Sequence, residues 1–387
     1  MNIRLQKPYS TMKTFNSKLV PAFIRRINLL TVLSFLLIAL LPSCKTRHKE
    51  KSDEELRAMA QNICEKNLIL DSHIDWPEII LDDPENISEQ TARGDFDLVR
   101  ARKGGLDAAL SVVYVSSVYD VDKGRMMVDS MLNLISYYAN TYPDKFAIAL
   151  TPADVKRNFE GKRFSFIPCL ENGSPVGNDI GYLKYLKDQG IAYMTLCHSR
   201  TNQISDSNFD KEHKWNGLSP EGKEIIKGLN RLGIMIDISH STDSTVAQAV
   251  RLSEAPIIAS HSSCRYFVPN LERDLPDDLI KAIAKKGGVV MVNFCTEFLD
   301  SVCHKNTDVV INLMDSEKLS FDSKEGQELI GEFGKTHRLL TDSKQLVDHF
   351  EHIIKIAGID HVGIGSDIDG DPEEHTSELQ SQSTISY

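Results

Sequence analysis

Short apolar runs recur along the body of the chain, at residues 68–73, 108–115, 164–170, 192–197, 234–239, 256–260, 288–294 and 361–366. Several are followed by segments with helical spacing. Val128, Met131, Leu132 and Ile135 keep the i, i+3, i+4, i+7 pattern, and Ser219-Pro220-Glu221 opens an amphipathic stretch to Leu232 as a capped helix does. Strands that are apolar throughout and alternate with helices predict a parallel sheet covered on both faces. Eight of them predict an α/β fold, a (β/α)8 TIM-type barrel rather than an open doubly wound sheet.

The first 43 residues break this pattern. They carry the cations Arg4, Lys7, Lys13, Lys18, Arg25 and Arg26 and no acid, then an apolar run at 29–41, then Leu41-Pro42-Ser43-Cys44. A charged start, a short apolar stretch and a small-residue site predict a secretory signal over residues 1–43, too short for a comfortable bilayer span. The Leu-x-x-Cys ending resembles a bacterial lipoprotein signal, with Cys44 as the lipidated first residue of the mature chain. That implies a protein at the cell envelope, outside the cytoplasm, held to a membrane surface by acyl chains and followed by a polar linker over 44–54. The whole chain has 44 Lys+Arg against 55 Asp+Glu, a net charge of −11, and 41% hydrophobic residues. This excludes disordered and low-complexity classes. Without residues 1–43 the balance is −17, and with no basic stripe a nucleic-acid partner is excluded. The other six cysteines, Cys64, Cys169, Cys197, Cys264, Cys295 and Cys303, form no C-x-x-C pair, and most are expected as small buried hydrophobes.

The polar residues fall at the ends of the runs. Asp71-Ser72-His73-Ile74-Asp75 closes the first, Glu171 the third, His198 the fourth, Asp237-Ile238-Ser239-His240 the fifth, Ser260-His261-Ser262 the sixth and Ser366-Asp367-Ile368-Asp369 the eighth. In a barrel the C-terminal strand ends converge on one mouth, so imidazoles and carboxylates from six strands would meet there. Period-2 alternation would put His73 and Asp75 on one face, within reach of one metal ion. A single glutamate can bridge two ions, and two further histidines can complete the second. Two cations roughly 3.5–4 Å apart activate water and polarise a carbonyl, which makes a hydrolase that needs no Ser or Cys nucleophile. Asp237, inside its strand, is expected to orient a histidine or to be simply buried and hydrogen-bonded. His48, His213, His304, His337, His349, His352 and His361 read as ordinary residues.

These motifs resemble those of the membrane dipeptidase (renal dipeptidase-like) family, peptidase family M19. The resemblance runs from about Leu68 to Gly370. It is carried by Asp71–Asp75, Asp97-Leu98-Val99-Arg100 with Gly104-Gly105, Glu171, Tyr193–His198, Asn216–Ser219, Asp237–His240, Ser260–Ser263, Met291–Phe294 and Gly363–Gly370. It implies a zinc dipeptidase with two ions per chain that cleaves dipeptides with a metal-activated hydroxide. His73 and Asp75 would bind the first zinc, Glu171 would bridge, and His240 and His261 would bind the second. His198 would stabilise the oxyanion or contact substrate, Arg273 would hold the substrate carboxylate, and Asp367 would move the proton to the leaving amine. Asp369 would support the site. A homodimer is among the assemblies the resemblance carries.

The chain also departs from the family pattern. Ser72 and Ile74 replace the usual Gly and Asn, the stretch between His261 and Arg273 is one residue longer, and Glu272 stands where a second basic residue is common. Residues 373–381 read as the translation of a sequencing-library adapter, so a non-native tail over 371–387, a barrel over 55–370 without its closing helices, and poor folding of the chain as given are expected. The alternatives at this level are lactone or N-acyl amino acid hydrolysis on the same site, or a catalytically inactive peptide-binding surface lipoprotein.

Overall fold

Eight parallel strands follow one another around a sheet in the order β1 (Leu70–Ile74), β2 (Ala108–Tyr114), β4 (Phe164–Glu171), β5 (Tyr193–Thr195), β6 (Met235–Asp237), β7 (Ile257–Ala259), β8 (Val289–Val292) and β9 (Val362–Ile364). They are the eight apolar runs, six of them shortened, with β1 shifted to end at Ile74 and β4 extended to Glu171. The computed structural model describes residues 51–320 and 323–370. The expected signal segment, Cys44, most of the linker and the 371–387 tail lie outside the described residues. The chain divides into units Met1–Arg57 and Ala58–Tyr387. Of the first, only residues 51–57 are described, of which 53–57 begin the helix Asp53–Lys66; the second contains the barrel. Among the described residues no helix is long and apolar enough to cross a membrane.

The ring closes where β1 meets the segment after β9. Ile74 bridges Ile368 in parallel, the Asp75 amide donates to Ile368 O at 2.9 Å, and the Asp367 amide donates to His73 O at 3.1 Å. Asp71 reinforces the seam, because one carboxylate oxygen accepts from the amides of His73 and Ser366, each at 3.0 Å. Gly365 is required here: a Cβ at this position would lie 1.9 Å from Ser260 O.

Alternation along the strands separates two layers. On β2, Ala109 and Val113 join the cluster that packs the helices, while Ala108, Leu110, Val112 and Tyr114 join a second, smaller cluster with Ile167, Cys169, Tyr193 and Ile258. On β4 the helix-facing residues are Phe164, Phe166 and Leu170, so Glu171 continues the row of Ile167 and Cys169. The outer layer is anchored by Trp76, whose ring packs tilted against Phe166 at 4.9 Å between centroids and whose Nε1 donates to Ser111 Oγ at 3.0 Å. The two helices expected from spacing are present: Val121–Thr141 buries Val128, Met131, Leu132 and Ile135, and Pro220–Leu232 is capped by Ser219 Oγ and ended by Gly233 at φ 67.

A ninth strand, β3 (Phe146–Ile148), pairs with the first half of β4 at Phe164–Phe166, below the point where β5 joins at Leu170. The sequence reading missed it, because three residues are too few to show a period. The reading also missed an insertion from the C-terminal end of β8, the helices Thr296–Leu299, Ser301–Glu317 and Lys324–Gly334, with a small core of Val310, Met314, Ile330 and Leu339. The helix Ser343–Ala357 follows it and buries His349 completely.

His349 pins this helix to the loop after β7 and to the end of the helix Thr296–Leu299. Its Nδ1 accepts from the Cys264 amide at 3.0 Å and its Nε2 lies 3.0 Å from Leu299 O, the arrangement of a neutral imidazole. Burial pulls its pKa down to about 4. The unfolded chain binds this proton near pH 6.5, so the contribution is full above that value and is lost as pH falls toward 4, on the order of 3 kcal/mol. Replacement by Gln should flatten the stability slope between about pH 6.5 and 4 in urea titrations. Replacement by Leu should cost about 2–4 kcal/mol at pH 8 by leaving both backbone groups unpaired.

Candidate metal centre

Every expected ligand arrives at one place. His73 comes from β1, Glu171 ends β4, and His198, His240, His261 and Asp367 lie just past β5, β6, β7 and β9. All are 6% exposed or less, as are Asp75 and Arg273. Asp75 reaches the site by a route that alternation did not foresee. The register of β1 slips between Asp71 and Ile74, and Asp75 lies beyond the strand as the residue preceding the helix Trp76–Asp82. The irregular backbone brings Asp75 Oδ2 to 3.4 Å from His73 Nε2.

Glu171 is the hub. Its Oε2 lies 3.3 Å from His73 Nε2, and its Oε1 lies 3.1 Å from His240 Nε2 and 3.3 Å from His261 Nε2. Asp367 Oδ1 is 3.6 Å from His73 Nε2. The donor atoms form three overlapping groups: His73, Glu171 and His261; Glu171, His198 and His240; His73, Asp75 and Asp367. His198, which the resemblance keeps outside the metal shell, is therefore within reach of the same ion as His240.

The residues fit divalent cations on their own evidence. His73 Nε2, Glu171 Oε1 and both carboxylate oxygens of Asp75 are buried without a hydrogen-bond partner. Burial pulls the His73 imidazole down, but the Glu171 and Asp75 carboxylates outweigh it and carry its pKa up to about 10. Burial pushes Asp75 well above the carboxylate range despite His73, while the charge of His73 and the adjacent His240 ring overcome burial to hold Glu171 well below it. Burial, with the charges of His73 and Arg273, keeps His261 well below the usual imidazole value. The side chains of Asp75, Glu171 and Asp367 converge with the imidazoles in a buried place where several of their polar atoms lack a hydrogen-bond partner, a donor set that cations would fit.

Partners behind the ligands fix their orientation. The Tyr193 hydroxyl lies 2.7 Å from His73 Nδ1 and donates to Ser72 O at 3.2 Å, so with a metal bound Nδ1 would keep the proton and Nε2 would be free to ligate. Ser260 Oγ is 2.7 Å from His261 Nδ1 and donates to Asp237 Oδ2 at 2.7 Å, so Asp237 orients this histidine through a serine. Asp237 also accepts from Thr195 Oγ1 and from the amides of Ser239 and Ser260. Tyr114, opposite Glu171 in the β2/β4 register, places its hydroxyl 3.3 Å from His198 Nδ1. Asn293 donates to Asp367 Oδ2 at 2.8 Å and leaves Oδ1 toward His73. Asp369 is set apart from the ligands: it accepts from the amides of Asp95 and Phe96, and burial raises its pKa to about 6.

His240 and Asp367 hold left-handed backbone at φ 66 and 65, which a non-glycine residue keeps only where its surroundings enforce it. Arg273 is buried with Nη1 donating to Ser262 Oγ at 3.1 Å, Nη2 at 3.3 Å from His240 Nε2, and its guanidinium over the Phe298 ring at 5.0 Å. Sequence reasoning assigned no role to Tyr114, Tyr193, Ser260, Asn293 or Phe298. Of these, Tyr193, Ser260 and Asn293 lie inside the recognised motifs, which was the available signal. Phe298 comes from the unforeseen insertion.

Because Asp237 fixes the Ser260–His261 pair, Asp237→Ala should weaken metal affinity about 10–100-fold with the fold retained. Chelator competition monitored by metal analysis, with circular dichroism on the same samples, checks this.

Comparison with known proteins agrees with the geometry. A sequence profile described as membrane dipeptidase (peptidase family M19) matches residues 57–385. Dipeptidase tcpJ of Claviceps purpurea is 27% identical over 317 residues, covering 78% of this chain and 66% of its own. Dipeptidase aclJ of Aspergillus oryzae is 27% identical over 285 residues, covering 72% and 59%. The chain thus spans about three fifths to two thirds of the length of these two relatives. Among solved structures, the probable dipeptidase PvdM from Pseudomonas aeruginosa superposes with a TM-score of 0.70 at 24% identity, covering 87% of this chain and 94% of that one. A metallo peptidase from Rhodobacter sphaeroides, liganded with a phosphinate mimic of the dipeptide L-Ala-D-Ala, gives 0.65 at 21%, covering 81% and 90%. At these identities the structural matches speak to the barrel fold. With the profile matched over most of the chain, this protein is a member of the membrane dipeptidase family, peptidase family M19.

Proposed function

We propose that this protein is a dinuclear zinc dipeptidase, lipid-anchored at the cell envelope through Cys44. The observation that carries the reading is Glu171, whose two carboxylate oxygens face different histidines, His73 on one side and His240 with His261 on the other. His73, Asp75 and Glu171 would hold the first ion, and Glu171, His240 and His261 the second. His and carboxylate donors also suit manganese or cobalt; zinc is the family's usual metal. Two bound zinc ions supply the Lewis acidity that activates water at neutral pH and polarises the scissile carbonyl.

The chain's own residues do the rest. Asp367 Oδ1, left toward the metal ligands by the Asn293 bond on Oδ2, takes the proton from the attacking water and returns it to the leaving amine. His198, steadied by Tyr114, donates to the carbonyl oxygen as negative charge develops there. Arg273 pairs with the free carboxylate of a short substrate, its guanidinium offering a planar fork for that anion. Substrates of this kind include the L-Ala-D-Ala type mimicked in the Rhodobacter sphaeroides structure.

The test is metal content together with hydrolysis of glycyl-L-leucine and L-Ala-D-Ala. Two metals per chain and turnover are expected. Glu171→Ala should lose both, and Asp367→Asn should keep the metals while kcat falls about 10²–10⁴-fold. Turnover of lactones or N-acyl amino acids in place of dipeptides would transfer the site to another hydrolysis, and a metal-free protein would overturn the enzyme reading. The anchor is tested by Cys44→Ser, which should release the protein from membranes and abolish labelling by radioactive palmitate.

A further inference from the structure

The segment that carries Arg273 has no regular structure between Cys264 and the helix Asp277–Lys285, yet it must hold a long, flexible side chain at the site. Its base is closed by the pairing of Cys264 with Leu275, and the Arg265 side chain reaches across the span between. Arg265 Nε donates to Leu271 O at 3.0 Å and to Asp274 O at 2.9 Å, and Nη2 donates to Glu272 O at 3.2 Å. The carbonyls on both sides of Arg273 are therefore bound by the same guanidinium. Its outer edge makes a two-pronged pair with Asp243, both bonds at 2.7 Å. Asp243 opens the helix Asp243–Leu252, three residues after His240.

Glu272 belongs to the same device. Its side chain turns away from the site and accepts from the Asp243 amide at 2.9 Å, while Asn208 Nδ2 links Glu272 O to Ser241 O. The added residue between His261 and Arg273, and the acid where a second base is common, are thus accommodated by tying the loop to the helix that follows His240.

We propose that Arg265 and Asp243 are positioning residues that set the Arg273 guanidinium relative to His240, and so determine how well the enzyme binds the free carboxylate of its substrate. The inference rests on the dipeptidase reading above. A fork paired to a carboxylate and to three carbonyls is rigid where a single exposed ion pair is not. Small displacements of a substrate-positioning group are expensive.

The experiment measures kcat and KM for glycyl-L-leucine, metal content and thermal midpoint in the full chain and in Asp243→Asn, Asp243→Glu and Arg265→Lys. Asp243→Asn and Arg265→Lys should raise KM about 10-fold, with kcat within about twofold and metal content unchanged. Asp243→Glu should recover most of the lost affinity. A fall in kcat at constant KM, loss of metal, or an unchanged KM in both variants would overturn the proposal, even with the dipeptidase reading intact. A wild-type protein that binds two metals but turns over no dipeptide would remove the parent reading, and this proposal with it.

Discussion

The structure depends on one electrostatic constraint: three carboxylates, Asp75, Glu171 and Asp367, are buried within a few ångströms of one another. Charges taken out of water are costly unless matched, and the protein surrounds these with His73, His198, His240, His261 and Arg273. Glu171 sits at the centre of the arrangement because one of its oxygens meets His73 and the other meets both His240 and His261. A core built only for stability would have used apolar residues in that place. The arrangement is tolerable because the donor set suits cations.

The barrel is what makes such a cluster reachable from a linear chain. Residues 73, 171, 240, 261 and 367 are far apart in sequence, but parallel strands present their C-terminal ends to a common mouth. The inward row of β4 runs Ile167, Cys169, Glu171, so one residue closes the apolar interior and the next position begins the chemistry. Beneath the ligands a polar layer of Thr195, Asp237 and Ser260 converts the rigidity of β5, β6 and β7 into fixed imidazole orientations. The seam between β1 and the residues after β9 performs a second service, since the backbone bonds that close the ring also hold His73 and Asp367 together.

Much of this was legible in the sequence because the signals were repetitive. All eight barrel strands follow from apolar runs, and the ligands from polar residues placed consistently at their ends. Single or short signals failed. β3 has three residues, the insertion after β8 has no motif, and His349, read as ordinary, is a buried brace whose role depends on what Cys264 and Leu299 present to it. Period-2 reasoning brought His73 and Asp75 together for a reason the fold does not use, because β1 is irregular there and Asp75 lies beyond it.

The sequence by itself carried the fold class in its repeated apolar runs, the family in its motifs, and the candidate metal-binding residues in the polar residues that end those runs, because these are local patterns repeated along the chain. Tertiary structure alone decided which atoms face one another. The hydroxyls of Tyr114 and Tyr193, the Asp237–Ser260–His261 relay and the Arg265–Asp243 clamp on the Arg273 loop all join residues whose spacing in the chain is arbitrary. A hydrogen bond needs a partner within about 3 Å at a suitable angle, and only the closed barrel sets those distances.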